Sequence, residues 1–255
     1  MYTIDPSVVA AGLVRFIRFS FKREGCEHAL IGVSGGVDSA VSLALTVQAL
    51  GVKHVHPVLL PYGSLNDEGT KDAQMIIQSF HVPINNIHLI DIKPMVDSVI
   101  AYDNQMDYGR RGNVMARMRM VTLFDLSKKM NALVVGTENK TEHLLGYYTR
   151  FGDEASDVEP LKHLYKTHVY TLARYLQIPL KISTKQPSAG LWSGQTDEGE
   201  FGFLYKDVDE ALFLYADKHL SKSEIINEGY GADVIERIWR WIQKGAFKDR
   251  MPLTP

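Results

Sequence analysis

The residues of this chain best suited to chemistry are Ser34, Asp38 and Ser39, set among glycines in Ile31-Gly-Val-Ser-Gly-Gly-Val-Asp-Ser39. An apolar run, Ala29 to Val33, leads into the stretch, and a helix-like run, Val37 to Leu50, leads out of it. The pattern predicts a strand, a glycine loop and a helix N-terminus. Free backbone N–H groups and the positive end of the helix dipole make such a junction an anion site. Gly35 and Gly36 let the backbone approach a phosphate closely, and Ser34 and Ser39 add hydroxyls. Asp38 is the discordant member, because a carboxylate repels phosphate. It makes sense if it holds Mg²⁺, which bridges the two charges.

The loop is not a Walker A motif, since no Lys stands in it, nor is it Gly-x-Gly-x-x-Gly. It resembles the Ser-Gly-Gly-x-Asp-Ser loop of the N-type ATP pyrophosphatases, which cradle pyrophosphate as ATP is cut between its α and β phosphates. A plain strand-to-helix turn is the competing reading. Two further constellations stand out. Asn113 and Arg117 are four residues apart on one predicted helix, so they share a face, with Arg119 nearby. They read either as a phosphate or carboxylate clamp or as solvated charges on a surface helix. Thr137 and Glu142 follow a predicted strand, where a second carboxylate completes a Mg²⁺ shell begun by Asp38. Glu142 reads equally as an ordinary acid in the first turn of a helix.

The elements that must position these groups follow from periodicity. Helix is predicted over 6–23, strand over 28–34, strand over 55–60, helix to about Phe80, strand over 87–92, helix from Pro94 to about Tyr102, and strand over 132–136. Pro57 suggests an edge or early position for the second strand. Tyr108 to Asn113 reads as a basic glycine loop, with a long helix from there to Met130. A short helix is expected around 142–148 and another over 166–177. Residues 181–200 read as a long irregular segment, and further helices are expected over 203–219, 221–228 and 232–244. Alternating strands and helices point to an α/β fold: one doubly wound, mostly parallel, Rossmann-like sheet of about five strands with helices on both faces and the first strand central.

Composition narrows the class. The 255 residues carry a formal net charge of −2, so no general nucleic-acid or membrane surface is indicated. The amino terminus lacks the basic and apolar regions of a signal peptide, and no apolar run approaches the ~20 residues of a membrane span. The single cysteine, Cys26, excludes an internal disulfide, and a cytoplasmic protein is expected. The nine histidines show no metal-type spacing.

Longer motifs then narrow the family. Gly112-Asn-Val-Met-Ala-Arg-Met-Arg-Met120, Gly136-Thr-Glu-Asn-Lys-Thr-Glu142, Gly146 to Asp153, Lys166-Thr167 and Lys185-Gln-Pro-Ser-Ala-Gly-Leu-Trp-Ser-Gly-Gln-Thr-Asp-Glu198 occur in this order and closely resemble NAD synthetase, an N-type ATP pyrophosphatase with the adenine nucleotide alpha hydrolase-like fold. The likeness runs from about residue 8 to Pro252. It implies that ATP adenylates the nicotinate carboxylate of deamido-NAD and that ammonia displaces AMP, giving NAD and pyrophosphate. It implies ATP contacts at Gly32, Val33, Ser34, Gly35, Gly36, Val37, Asp38, Ser39, Thr137, Lys166 and Ser188, and deamido-NAD contacts at Asn113, Arg117, Arg150, Asp157 and Lys248. Asp38 and Glu142 would hold Mg²⁺, and Asp38, Asp153 and Lys166 would carry the chemistry, Asp153 beside the incoming nitrogen. The chain departs from the family at Arg150, where several members have Lys, and at Phe247, where a His usually precedes Lys248.

The resemblance also implies a homodimer with small-molecule substrates, and residues 183–200 as a lid over the adenylate. Residues 1–255 read as one synthetase domain without room for a glutaminase, so free ammonia is the expected nitrogen donor. Two alternatives stand beside this reading. One is another N-type ATP pyrophosphatase acting on tRNA or a nucleotide; the other is a non-catalytic ATP-binding sensor, which needs the cradle but no second carboxylate.

Overall fold

The computed structural model describes residues 3–103, 105–188, 190, 196–250 and 254. Helix α1 spans Pro6–Glu24, strand β1 His28–Gly32, helix α2 Val37–Leu50 and strand β2 Val55–Leu59. Helix α3 (Asp67–Ser79), strand β3 (His88–Leu89), helices α4 (Lys93–Ile100) and α5 (Tyr108–Met130), and strand β4 (Ala132–Val135) follow. Seven further helices are described: α6 (Lys140–Leu145), α7 (Lys166–Tyr175), α8 (Leu180–Ser183), α9 (Asp197–Phe201), α10 (Tyr205–Ala216), α11 (Lys222–Asn227) and α12 (Ala232–Gly245).

Among the described residues the strands form one parallel sheet in the order β3-β2-β1-β4. The strands are apolar on both sides because both faces are covered. Ala29, Ile31, Val55 and Leu59 pack under α1, α2 and α7, while Leu30, Val58 and Leu60 pack under α4 and α5. A third cluster joins Leu145 of α6 to Phe201, Leu212, Ile235 and Ile238 of the C-terminal helices. β1 lies inside the sheet, as expected from sequence, and its two neighbours diverge at the β1/β4 boundary, where open sheets bind ligands.

Among the described residues the sheet has four strands rather than about five. Residue Val158 makes only a single parallel bridge to Val135 beside β4, and the chain reaches Pro160 two residues later, which has no N–H to continue a ladder. The third strand is shorter than expected, at two residues. β2 is also interior, against the edge position suggested by Pro57. Val58 O accepts from Val33 N on the β1 side and Leu59 O from Ile90 N on the β3 side, so alternation turns Pro57 N toward β3. The β2–β3 pairing begins only at Val58, one residue later, so no ladder bond is lost. The expected loop 108–113 is instead the start of α5. The Asp107 carboxylate caps it, accepting from Arg110 N at 2.8 Å, and this cap offsets the low helix propensity of Gly109 and Gly112.

Behind β4, Glu159 is largely enclosed. Burial, reinforced by the nearby Glu138 carboxylate, pushes its carboxyl up to about 8, against the opposing pulls of Ser156 Oγ (2.8 Å) and Lys162. The folded chain therefore keeps a proton there that the unfolded chain releases near the ordinary value of 4.5. Stability from the neutral form is complete below that value and lost as pH rises toward 8. Glu159→Gln keeps the acceptor and removes the charge. It is expected to raise the melting temperature by at least ~2–4 °C, about 1 kcal/mol, at pH of about 9, with no gain at about pH 4.5. A melting difference that does not change with pH would contradict this.

Candidate active site

The glycine loop joins β1 to α2 at the C-terminal edge of the sheet. Gly36 is the N-cap of α2 and provides no side-chain cap, so the first amides of the helix look into the loop mouth. Gly35 has φ +86°, and a Cβ there would stand 2.3 Å from Gly69 O of α3. Only glycine allows the loop to pass so close to α3. Ser39 is buried and bonds inward: its Oγ donates to Gly36 O (3.0 Å) and accepts from Ser34 N (3.3 Å). Ser39 therefore shapes the loop, and its proton is already used there. Gly32 ends β1, and Val33 and Val37 are core residues that fix the two ends of the loop.

Opposite the loop, β4 leads through Thr137 into α6. Asn139 caps α6 with Oδ1, accepting from Glu142 N at 3.0 Å, while its Nδ2 donates to Asp38 Oδ1 at 3.0 Å. One amide thus starts the helix that carries Glu142 and fixes the carboxylate of Asp38. Lys166 Nζ then donates to Asp38 Oδ2 at 2.6 Å and to Glu142 Oε1 at 3.0 Å. Lys166 is buried at the first position of α7, a helix with no side-chain cap of its own. Its first amides are satisfied from other elements: Lys166 N donates to Thr141 Oγ1 (2.9 Å) and Thr167 N to Asp209 Oδ2 (2.8 Å), while Thr141 Oγ1 donates to Asp209 Oδ1.

The charges are not balanced. Burial alone would lower the Lys166 ammonium, but Asp38 and Glu142 outweigh it and hold the lysine firmly protonated. Burial pushes Glu142 above the ordinary carboxylate range; Lys166 opposes this, while Asp38 and Asp197 add to it. Asp197, held by Tyr147 OH (3.2 Å) and Tyr205 OH (3.0 Å), is raised by burial too. Three carboxyl groups around one ammonium, two of them pushed toward the neutral form, with their oxygens gathered near a phosphate-type loop, are a hard-oxygen donor set short of positive charge. That set fits Mg²⁺ held by Asp38 and Glu142.

A second group surrounds the turn after α6. Asn113 Oδ1 accepts from Thr149 Oγ1 at 3.0 Å, and Asp153 Oδ1 accepts from Thr149 N at 3.0 Å. Arg117 Nη2 donates to Arg150 O (3.2 Å). Arg119, enclosed and donating to Leu60 O at 3.1 Å, is lowered by burial and drawn back by Asp153. Asp153 opens to solvent on one side yet is crowded by protein, which raises its carboxyl. The chain end folds over this turn. Lys248 Nζ donates to Gly146 O and Tyr148 O (2.6 and 2.5 Å), and Arg150 Nη2 donates to Arg250 O (2.5 Å). Phe247, at the family's histidine position, points to solvent. Asp157 lies on the outer edge of β4, one oxygen accepting from Val134 N at 2.8 Å.

Ser188 is exposed, its Oγ accepting from Gly190 N at 3.1 Å, and Gly190 lies against Asn66, the cap of α3. The ends of the expected lid are pinned, by Asp197 N to Pro187 O (3.1 Å) and by Lys185 Nζ to the buried Asp72 (2.6 Å). Residues 189 and 191–195, Trp192 among them, lie outside the described residues. Sequence reasoning missed Asn139, Thr141, Asp197, Tyr205 and Asp209. Asn139 was findable, since Asn-x-x-Glu before a helix is an N-cap pattern. Thr141 and Asp209 are 68 residues apart, and nothing local connects them.

Gly35→Ala is expected to weaken ATP binding by at least ~10-fold and to lower the melting temperature, because it strains a left-handed residue and meets backbone that cannot step aside. Titration calorimetry and thermal melting check this; wild-type values in both would contradict it.

The family model described as NAD synthase matches residues 9–252. The NH(3)-dependent NAD(+) synthetase of Fusobacterium nucleatum is 42% identical over 241 residues, covering 94% of this chain and 92% of that relative. That of Pyrococcus furiosus is 39% identical over 257 residues, covering 100% and 96%. Among solved structures, an NMN synthetase from Francisella tularensis superposes with a TM-score of 0.87 at 33% identity, covering 99% of both chains. An NH3-dependent NAD synthetase from Campylobacter jejuni, in complex with nitrate, has a TM-score of 0.83 at 28% identity, covering 99% of this chain and 100% of that one. With the family model spanning nearly the whole chain and relatives near 40% identity end to end, this chain belongs to the NAD synthase family.

Proposed function

We propose that this chain amidates deamido-NAD to NAD with ATP and ammonia. The observation that carries the reading is the Lys166 ammonium bridging Asp38 and Glu142 beside the glycine loop. A sensor needs the loop but has no use for a buried lysine between two carboxylates.

Residues 1–255 act as one synthetase unit. The nicotinate carboxylate is a poor electrophile because its charge repels nucleophiles. Its oxygen attacks the α-phosphorus of ATP, the bond to the bridging oxygen of the β phosphate breaks, and pyrophosphate leaves. Ammonia then adds to the acyl carbon, and AMP departs with the bonding electrons. The amides of Gly32 to Ser39 cradle phosphate, while Thr137 and Ser188 flank the nucleotide. Lys166 neutralises charge where two anions meet, acting as a preorganised cation at small reorganisation cost. Mg²⁺, held by Asp38 and Glu142, would supply further neutralisation of the phosphates.

Asn113, Arg117, Arg150, Asp157 and Lys248 bind deamido-NAD around the turn 146–153. Asp153 there binds ammonium and takes the proton that the attacking nitrogen sheds, a task its raised carboxyl suits. The protein works as a cytoplasmic homodimer. Tyr102, Tyr108 and Val121, on or next to α5, are exposed (92, 69 and 49%), and such apolar surface is stabilised by a partner. No described helix is long and apolar enough to cross a membrane.

The Francisella tularensis structure favours a second reading, a mononucleotide in place of the dinucleotide. Steady-state kinetics decide. Wild type is expected to form NAD from deamido-NAD with ammonium, not with glutamine, and to use nicotinate mononucleotide less efficiently. Asp153→Asn should raise the apparent KM for ammonium at least ~10-fold while leaving that for ATP within a factor of about two. Preference for the mononucleotide would replace the substrate assignment, and an unchanged ammonium KM would remove Asp153 from the mechanism.

A further inference from the structure

At the opposite edge of the sheet from the glycine loop, the parallel register assembles histidines that are scattered in sequence. Ala29 pairs with Val55, so His28 at the start of β1 falls level with His54, just before β2. His56 follows on the same face, and His88 opens β3 beside it. The rings of His28 and His54 lie 5.3 Å apart, those of His28 and His56 5.2 Å, and those of His56 and His88 5.8 Å. No step of the proposed reaction uses them.

Two features distinguish this row from incidental packing. Glu27, His28 and His54 each place one ligand-type atom within 4.8 Å of the others. His54 Nδ1, His56 Nδ1 and His88 Nε2 are buried and find no hydrogen-bond partner among the described residues. Only His54 of these three belongs to the triad; a buried polar atom left unpaired is costly, and a ligand reaching the His54 ring would relieve that cost. His28 is also supported from behind, its Nδ1 lying 3.1 Å from His56 Nε2. Metal-binding histidines characteristically anchor their second ring nitrogen on a neighbouring group, which fixes ring orientation; here the neighbour is the His56 ring.

We infer that Glu27, His28 and His54 form a zinc-type metal site that clamps the start of β1 to the start of β2, with His56 orienting His28. Two imidazoles and a carboxylate suit Zn²⁺ rather than Mg²⁺, and water completes a four-coordinate shell. Zinc ligands 2.0–2.1 Å from the ion stand about 3.3 Å apart, so atoms within 4.8 Å of one another need to draw in by at most about 1.5 Å, and the exposed Glu27 side chain is free to do its share.

The test uses the full chain, stripped with a chelator and dialysed against Zn²⁺ or Co²⁺ with excess Mg²⁺ to occupy the carboxylate site. One Zn²⁺ per chain by elemental analysis and the visible band of four-coordinate Co²⁺ are expected. His54→Ala should weaken binding by more than the 10–100-fold typical of losing a group behind a ligand, and Glu27→Gln, an exposed change that leaves the fold intact, by at least ~10-fold. Both variants should keep wild-type synthetase activity. Absence of stoichiometric zinc in wild type, or binding unchanged in both variants, would overturn the site.

Discussion

The structure depends on a lysine ammonium held out of water between two carboxylates. Burying Lys166 alone would be prohibitive, and burying Asp38 and Glu142 without it equally so. The arrangement survives because the polar groups around it are held by several elements at once. Asn139 holds Asp38 and starts the helix of Glu142; Thr141 and Asp209 hold the first amides of the helix of Lys166. β1, β4, α6, α7 and α10 thus meet at one charge cluster. The same closure leaves the cluster short of positive charge, the condition that the proposed divalent cation would relieve.

A second constraint ties the chain end to this cluster. Gly146 at the end of α6 and Gly245 at the end of α12 approach so closely that a Cβ on Gly146 would lie 2.4 Å from Gly245 Cα. That contact brings Lys248 and Arg250 over the turn 146–153, where Asp153, Arg119 and Thr149 gather. The charge cluster and the turn that carries Asp153 are therefore joined by one short helix, α6, whose first turn carries Glu142 and whose last residues lead toward Asp153. A shift of α6 moves both together.

Much of this was legible in sequence because it is local. The glycine loop, its strand and its helix are contiguous, and the alternation of elements dictates a parallel sheet with β1 inside it. The capping box Ser221 to Glu224 is likewise a spacing effect, and both of its bonds are present. What was hidden is what depends on register and on distant contacts. The fifth strand reduces to one bridge at Val158, and the third to two residues. The start of α5 was misread because two glycines outweigh, in a propensity count, the single capping aspartate that decides the matter. Asp209 carries no local signal at all, and Asp197, though it lies inside the motif 185–198, is marked there by nothing that separates it from its neighbours. The histidine row is invisible in spacing, since His28, His54 and His88 meet only once the strands are laid side by side.

In the proposed site Asp38 and Glu142 hold a divalent cation together with ATP. Its most direct test is a thermodynamic cycle: ATP affinity by titration calorimetry with and without Mg²⁺, in wild type and in Glu142→Gln. In wild type, Mg²⁺ should tighten ATP binding. In Glu142→Gln most of that gain should vanish, while Mg²⁺-free ATP binding stays equal or becomes tighter because the residue can no longer ionise beside the phosphates. Equal Mg²⁺ enhancement in the two proteins would contradict the account.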